Sequence, residues 1–139
     1  MGLLYADIEL LNAVDLGLQR RGQLPEDQIR RIKARVLVDS GAYMLSINEV
    51  VRRQLDLPKL GTQTAELADG SEIELDIVGP VEVRFENRHT TVEAIVLPGE
   101  ADVLLGAIPI EGMDVMIDLQ RQRLVVNPSH PKIAHTILK

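Results

Sequence analysis

Asp39 closes the apolar run Val36-Leu37-Val38 and stands directly before Ser40-Gly41-Ala42. A strand that delivers one carboxylate into a Ser-Gly turn holds it on a rigid element and presents it for chemistry. Carboxylates hydrolyse a peptide bond in pairs: one, ionised, takes a proton from water, while the other, protonated, polarises the carbonyl. Two carboxylates about 3 Å apart cannot both ionise, so the pair shares a proton and its two titrations split. The segment occurs once in the 139 residues. A single chain therefore carries half of such a site, and a second copy related by a two-fold axis through Asp39 would complete it. Gly41 would let the backbone turn closely beneath the carboxylates. The Ser40 hydroxyl would lock the turn by hydrogen bonding to main chain, either within the chain or across the axis. Asp-Ser-Gly is also common turn chemistry, which leaves a purely structural role open at this point.

The elements around Asp39 read mostly as short strands. Leu4, Ala6, Ile8 and Leu10 alternate along a first strand within 3–14, and Ile32, Ala34, Val36 and Val38 along a second that ends at Asp39. Ser46-Ile47-Asn48-Glu49 has capping-box spacing and predicts a short helix with Val50, Val51 and Leu55 on its apolar side, stopped by Leu57-Pro58. A hairpin is expected over 62–78, turning at Asp69-Gly70 and broken by Gly79-Pro80. Val81, Val83 and Phe85 form a further strand, Glu86-Asn87-Arg88 a turn, and Val92, Ala94 and Val96 its partner. A last pair, 115–118 and 123–126, flanks Leu119-Gln120-Arg121-Gln122. Many short strands with one clear helix argue for a small β barrel or sandwich.

The order of these features resembles the retropepsin-like aspartic proteases, specifically their small single-domain bacterial members, over roughly residues 3–128. The family pattern of two apolar residues, Asp, Ser or Thr, Gly, and Ala or Ser is matched by Leu37-Val38-Asp39-Ser40-Gly41-Ala42, and its second signature, two apolar residues and Gly, by Leu104-Leu105-Gly106. The resemblance implies a mainly β fold, a closed barrel with one or two short helices, an obligate homodimer, and a flap formed by Leu67, Ala68, Asp69, Gly70 and Ser71. Asp39 would be catalytic, Ser40, Gly41 and Ala42 its turn, and Leu104, Leu105 and Gly106 the support of the cleft. Viral members carry an acidic residue just after the first motif and an Arg just after the second, paired near the dimer contact; here Tyr43 and Ala107 stand there. Losing both partners together avoids an unpaired buried charge, so other contacts must hold the subunits. The flap also lacks the viral Gly-rich tip. Its Asp69 reads better as a turn cap than as a charge repelling acidic substrates.

Composition narrows the alternatives. With 15 Lys and Arg against 21 Asp and Glu, a net charge of -6 disfavours nucleic acid and anionic membranes as partners. The absence of Cys excludes thiol nucleophiles, disulfides and thiolate metal sites. No apolar run approaches the roughly 18 residues of a membrane span, and Asp7 and Glu9 interrupt any secretory leader, so a cytoplasmic protein is expected. One domain over 1–139 is expected, with an exposed charged connection at 17–31 and a tail at 129–139. No cofactor and no metal are expected, because His89, His130 and His135 lack compact ligand spacing and read as surface histidines. Asp114 and Asp118 read as strand ends, and Met44, Met113 and Met116 as core filler.

Three functions follow. The first is a homodimeric aspartic endopeptidase acting on an extended peptide or protein substrate, with water activated between the two Asp39 side chains. The second is a non-catalytic dimeric peptide-binding or scaffold module with the same fold. The third is a monomeric β domain whose Asp-Ser-Gly turn is structural.

Overall fold

The computed structural model describes residues 3–138; Met1, Gly2 and Lys139, at the ends of the expected domain and tail, lie outside them. Its strands are β1 (Tyr5–Asn12), β2 (Arg31–Val38), β3 (Leu45–Ile47), β4 (Lys59–Glu66), β5 (Glu72–Phe85), β6 (Arg88–Val96), β7 (Leu104–Leu105), β8 (Val115–Asp118) and β9 (Arg123–Val126). Three short helices interrupt them: α1 (Ala13–Arg20), α2 (Glu49–Leu55) and α3 (Ala107–Gly112). The alternation read from the sequence is the alternation of burial. Ala6, Ile8 and Leu10 of β1 face the core with Val36 and Val38 of β2, while the residues between them are charged or half-exposed.

Seven strands form one sheet in the order β1-β2-β7-β3-β6-β5-β4, and β1 also pairs with β5. That extra pairing, Glu9–Asn12 against Val81–Arg84, closes six strands into a ring and leaves β4 attached outside it. The mainly β, closed architecture expected from the sequence is therefore present. The expected break at Gly79-Pro80 is not: β5 runs on for 14 residues, its register against β6 shifting between Val78 and Val81. Both halves of the strand have partners, so the chain kinks rather than stops. Gly79 adopts φ +146°, which a residue with a side chain rarely adopts. Inside the ring the core is almost wholly aliphatic: Leu10, Val36, Leu45, Ile47, Val78, Val81, Val83, Ala94 and Leu105 are completely buried.

Two helix starts differ from the sequence reading. The first predicted strand continues straight into α1, because the Asn12 side chain accepts the Asp15 N–H at 3.1 Å and supplies a cap. The same side chain donates to the Leu55 carbonyl at 2.8 Å, tying α1 to the end of α2. The charged stretch 17–31 is thus structured at both ends: it begins in α1 and continues through a 3-10 turn (Glu26–Gln28), with Leu16 and Ile29 buried against Leu11. At α2 the cap is Asn48, which accepts the Val51 N–H at 2.9 Å. Ser46, the expected cap, is buried in β3, and Glu49 pairs with Arg52 and Arg53 instead of closing a capping box.

Beyond β9 the chain folds back on itself. Asp114, in a left-handed turn at φ 54°, faces His130 Nδ1 at 2.8 Å and accepts the His135 N–H at 2.9 Å and the Asn127 side-chain amide at 3.1 Å. The His130 and His135 rings stack with centroids 3.7 Å apart. Asn87 donates to the Pro131 carbonyl, and buried Arg88 donates to that of His130. The His135 N–H, foremost, and the His130 and Asn127 side chains lower the Asp114 pKa to about 2.

A carboxylate whose pKa is depressed by docking favours the docked form above its ordinary pKa of 3.8 and loses that contribution as pH falls toward 2. The protection factor of the His135 amide is expected to hold at pH 5 and to fall between pH 4 and 2 ahead of that of the Leu105 amide in the core. Asp114→Ala should bring that loss of protection to neutral pH; equal protection in the variant would show that Asp114 does not hold the segment.

Candidate active site

β2 carries Asp39 to the end of the ring and releases it into solvent: Val38 is buried, whereas Asp39, Ser40 and Gly41 are exposed and Ala42 is half-buried. The turn is closed by Asp39 itself. Its carboxylate Oδ1 accepts the Gly41 N–H at 3.0 Å, and its carbonyl accepts the Ala42 N–H at 3.1 Å. One carboxylate oxygen is thereby fixed in orientation, and Oδ2 is left for another partner. The lock expected from the Ser40 hydroxyl is thus made by Asp39 and two main-chain N–H groups.

The second signature lies directly against this turn. Leu104 and Leu105 run parallel to Leu37 and Val38, and the Asp39 N–H donates to the Leu105 carbonyl at 3.0 Å. Further on, the Ala107 N–H donates to Ala42 at 2.8 Å and the Ile108 N–H to Tyr43 at 2.9 Å. Gly106 passes between them so closely that a Cβ there would sit 2.4 Å from the Met44 carbonyl oxygen and 2.7 Å from that of Tyr43. Its φ of −90° is ordinary, so the requirement for glycine is steric rather than conformational. Residues 39–43 and 104–108 are in effect one interlocked piece.

A cavity of about 530 Å³ opens beside the carboxylate, lined by Leu3, Leu4, Leu37, Asp39, Ile117 and Leu119 among others. Its walls are mainly aliphatic, with Ser40 and Gln122 beside them, and among the described residues Asp39 is the one ionisable group in its lining. No residue pattern signalled that β8 and the loop after it would reach Asp39, because that juxtaposition depends on how the β8–β9 hairpin is set beside the ring.

Residues 67–71 form a tight turn between β4 and β5, outside this cavity. The Leu67 N–H donates to Ser71 at 2.8 Å, the Gly70 N–H to Leu67 at 2.9 Å, and Asp69 Oδ1 accepts both the N–H and the hydroxyl of Ser71 at 2.9 and 2.6 Å. The Ser71 hydroxyl, foremost, and its N–H lower the pKa of Asp69, as a capping carboxylate requires. Among the described residues no three His, Asp or Glu side chains converge as metal ligands, and no helix is long and apolar enough to cross a membrane.

Residues 27–116, from the 3-10 turn to the start of β8, match the family model described as "gag-polyprotein putative aspartyl protease". The chain belongs to this aspartyl protease family. The match covers Asp39, the 67–71 turn and Leu104-Leu105-Gly106 in one alignment. No curated protein sequence matches the chain. Among solved structures, the retroviral protease-like domain of Ddi1 from Leishmania major is similar, with TM-score 0.55 and 16% identity over 92% of this chain and 90% of that one. EIAV protease in complex with the inhibitor HBY-793 has TM-score 0.52 and 19% identity over 63% of this chain and 83% of the other. At such identities these likenesses carry the fold, which is retropepsin-like.

The close approach at Gly106 is expected to show in stability. Gly106→Ala must push apart the 43–44 and 106–107 main chains and should cost about 1–3 kcal/mol, read as a lower urea midpoint at unchanged m-value. Gly41→Ala, whose Cβ meets only Asp39 Oδ1 at 3.2 Å, should cost less than Gly106→Ala. Equal losses at the two sites would contradict the interlock.

Proposed function

We propose that the protein is an aspartic endopeptidase that works as a homodimer, each copy a single domain contributing Asp39 to one shared site. The observation that carries this reading is the presentation of Asp39 within a chain of aspartyl protease family: exposed at the end of a buried strand, with Oδ1 fixed by the Gly41 N–H and Oδ2 free. In the dimer a water lies between the two Asp39 carboxylates, which hold one proton between them. The ionised member takes a proton from the water as its oxygen attacks the scissile carbonyl, and the protonated member donates to the carbonyl oxygen. Fixing Oδ1 from its own chain aims Oδ2 without costing reorganisation during the reaction.

The substrate is an extended peptide. The outer edge of β4 is unpaired among the described residues, and the β4–β5 hairpin with its self-capped 67–71 turn serves as the flap that closes on the peptide. Its tip is stiffened by Asp69 rather than loosened by glycines. The aliphatic cavity beside Asp39 suits an apolar side chain next to the cut bond.

Asp39→Asn keeps size and hydrogen bonding but cannot share a proton. Cleavage of a peptide library between pH 3 and 7 should fall by roughly 10³-fold or more, with the fold and self-association unchanged. Unchanged cleavage would remove Asp39 from the reaction. Peptide binding without turnover in the unsubstituted protein would establish the non-catalytic module instead.

A further inference from the structure

The wall that β8 and the loop after it give the Asp39 cavity is joined to the ring in an unusual way. β8 and β9 form a two-stranded sheet of their own, and among the described residues no hydrogen bond or ion pair links 115–126 to the seven-stranded sheet. Apolar packing holds the hairpin instead: Val115 and Leu124 are buried, and Ile117 and Val126 pack against the core. Such packing is non-directional, so it favours contact without fixing the angle of the hairpin. Leu119 and Gln122, toward the hairpin's tip, line the cavity together with Ile117. From Asp114 to Leu119 the chain reaches at most about 17 Å, and a tilt of about 10° at the base would carry the tip about 3 Å.

The directional bonds that do tie the hairpin lie at its base and converge on Asp114. Its main chain links α3 to β8: the N–H donates to the Glu111 carbonyl at 3.1 Å, and the carbonyl accepts the Asn127 N–H at 3.2 Å. The carboxylate adds three contacts to the chain beyond β9. Oδ1 accepts the Asn127 side-chain amide, and Oδ2 faces His130 Nδ1 and accepts the His135 N–H. That segment is fastened to the ring in turn, because Asn87 donates to the Pro131 carbonyl at 3.0 Å and Arg88 to that of His130. α3 starts at the Gly106 crossing, so the hairpin's base is braced on one side by the piece that carries Asp39 and on the other by the β5–β6 turn. Asp114 is where the two braces meet.

We infer that Asp114 is a positioning residue: by clasping 127–135 it sets the angle of the β8–β9 hairpin, and with it the width of the Asp39 cavity beside the cut bond. The inference rests on the endopeptidase reading for what enters the cavity, though not for the clasp itself. Asp114 is not in the cavity lining and acts through Ile117 and Leu119, which are. A substrate side chain large enough to fill the cavity touches that wall and senses where it stands, whereas a small one does not. Asp114 therefore governs the choice of substrate and leaves the proton chemistry to Asp39.

The test compares Asp114→Ala with the unsubstituted chain and with Asn12→Ala, which removes the α1 cap and its bond to Leu55 at the end of β1 remote from Asp39. In carbon-13 methyl spectra the Ile117 resonance should move by more than a linewidth in Asp114→Ala and stay in place in Asn12→Ala. For two peptides that differ only in Leu or Ala beside the cut bond, the ratio of kcat/KM values should fall at least threefold in Asp114→Ala. The change should lie in KM for the Leu peptide, with kcat within twofold, and Asn12→Ala should keep the ratio. A residue needed only for stability would lower the active fraction and leave the ratio alone. Asp114→Asn, which keeps an oxygen for the His135 N–H, should recover most of it. Far-UV circular dichroism checks folding; if Asp114→Ala unfolds, Asn87→Ala loosens the same segment from the ring, with about a twofold fall expected. An unmoved Ile117 methyl or an unchanged ratio in the folded variant overturns the inference. Cleavage of neither peptide by the unsubstituted chain overturns the endopeptidase reading, whereas the methyl spectra decide the clasp independently.

Discussion

The candidate site depends on one interlock: the crossing of the 39–43 turn with the 104–108 segment. Three main-chain hydrogen bonds join them, from Asp39 to Leu105, Ala107 to Ala42 and Ile108 to Tyr43, and Gly106 fills the space in which no side chain fits. Hydrogen bonds of this kind each contribute about 1 kcal/mol net. Their larger effect is geometric. They fix a loop that would otherwise be free at the mouth of the ring, and they leave the Asp39 carboxylate only its own side-chain torsions.

The ring makes that interlock possible. β7 is two residues long and could not stand alone, but it is wedged between β2, which it parallels, and β3, which it opposes at Ser46. Both neighbours are held because the sheet returns to its start through β5 and β1. The kink at Gly79 lets one strand pair with β4 at one end and with β1 at the other. A straight strand ending at Val78 would leave β1 with one neighbour and the core open between them. The position of Asp39 is therefore a consequence of closure on the far side of the sheet.

Much of this was legible in the sequence, and the boundary of legibility has physical causes. The β strands announced themselves because one face of each is buried, so period-two alternation had to be written into the residues. The Asp39 turn and the Leu104-Leu105-Gly106 segment were visible as motifs because their residue types are sterically demanded. The tighter local choices were not. Asn12 and Asn48 cap helices where Ser46 had the better pattern, because β3 claims Ser46 for pairing with β7 and buries it. The Asp114 cluster was hidden for a different reason: its partners His130 and His135 come from a segment with no periodicity, and only the folded hairpin brings them to one carboxylate. The β8 wall of the cavity escaped for the same reason, since it is a contact between elements and not a property of either.

The absence of an ion pair at Tyr43 and Ala107 takes its meaning from the charges that remain. Two carboxylates 3 Å apart repel by on the order of 5 kcal/mol at an effective dielectric of 20, and one shared proton removes most of that term. What is left is the diffuse repulsion of two chains of charge -6, screened beyond about 8 Å at physiological salt. Against it, fully burying an exposed apolar side chain contributes about 1.5–3 kcal/mol. A contact of a few such groups is comparable with the bare carboxylate repulsion, so a shared proton shifts the balance toward association. In such a dimer, subunit association and proton sharing at Asp39 are one coupled event, and the chemistry that needs the shared proton also holds the two halves together.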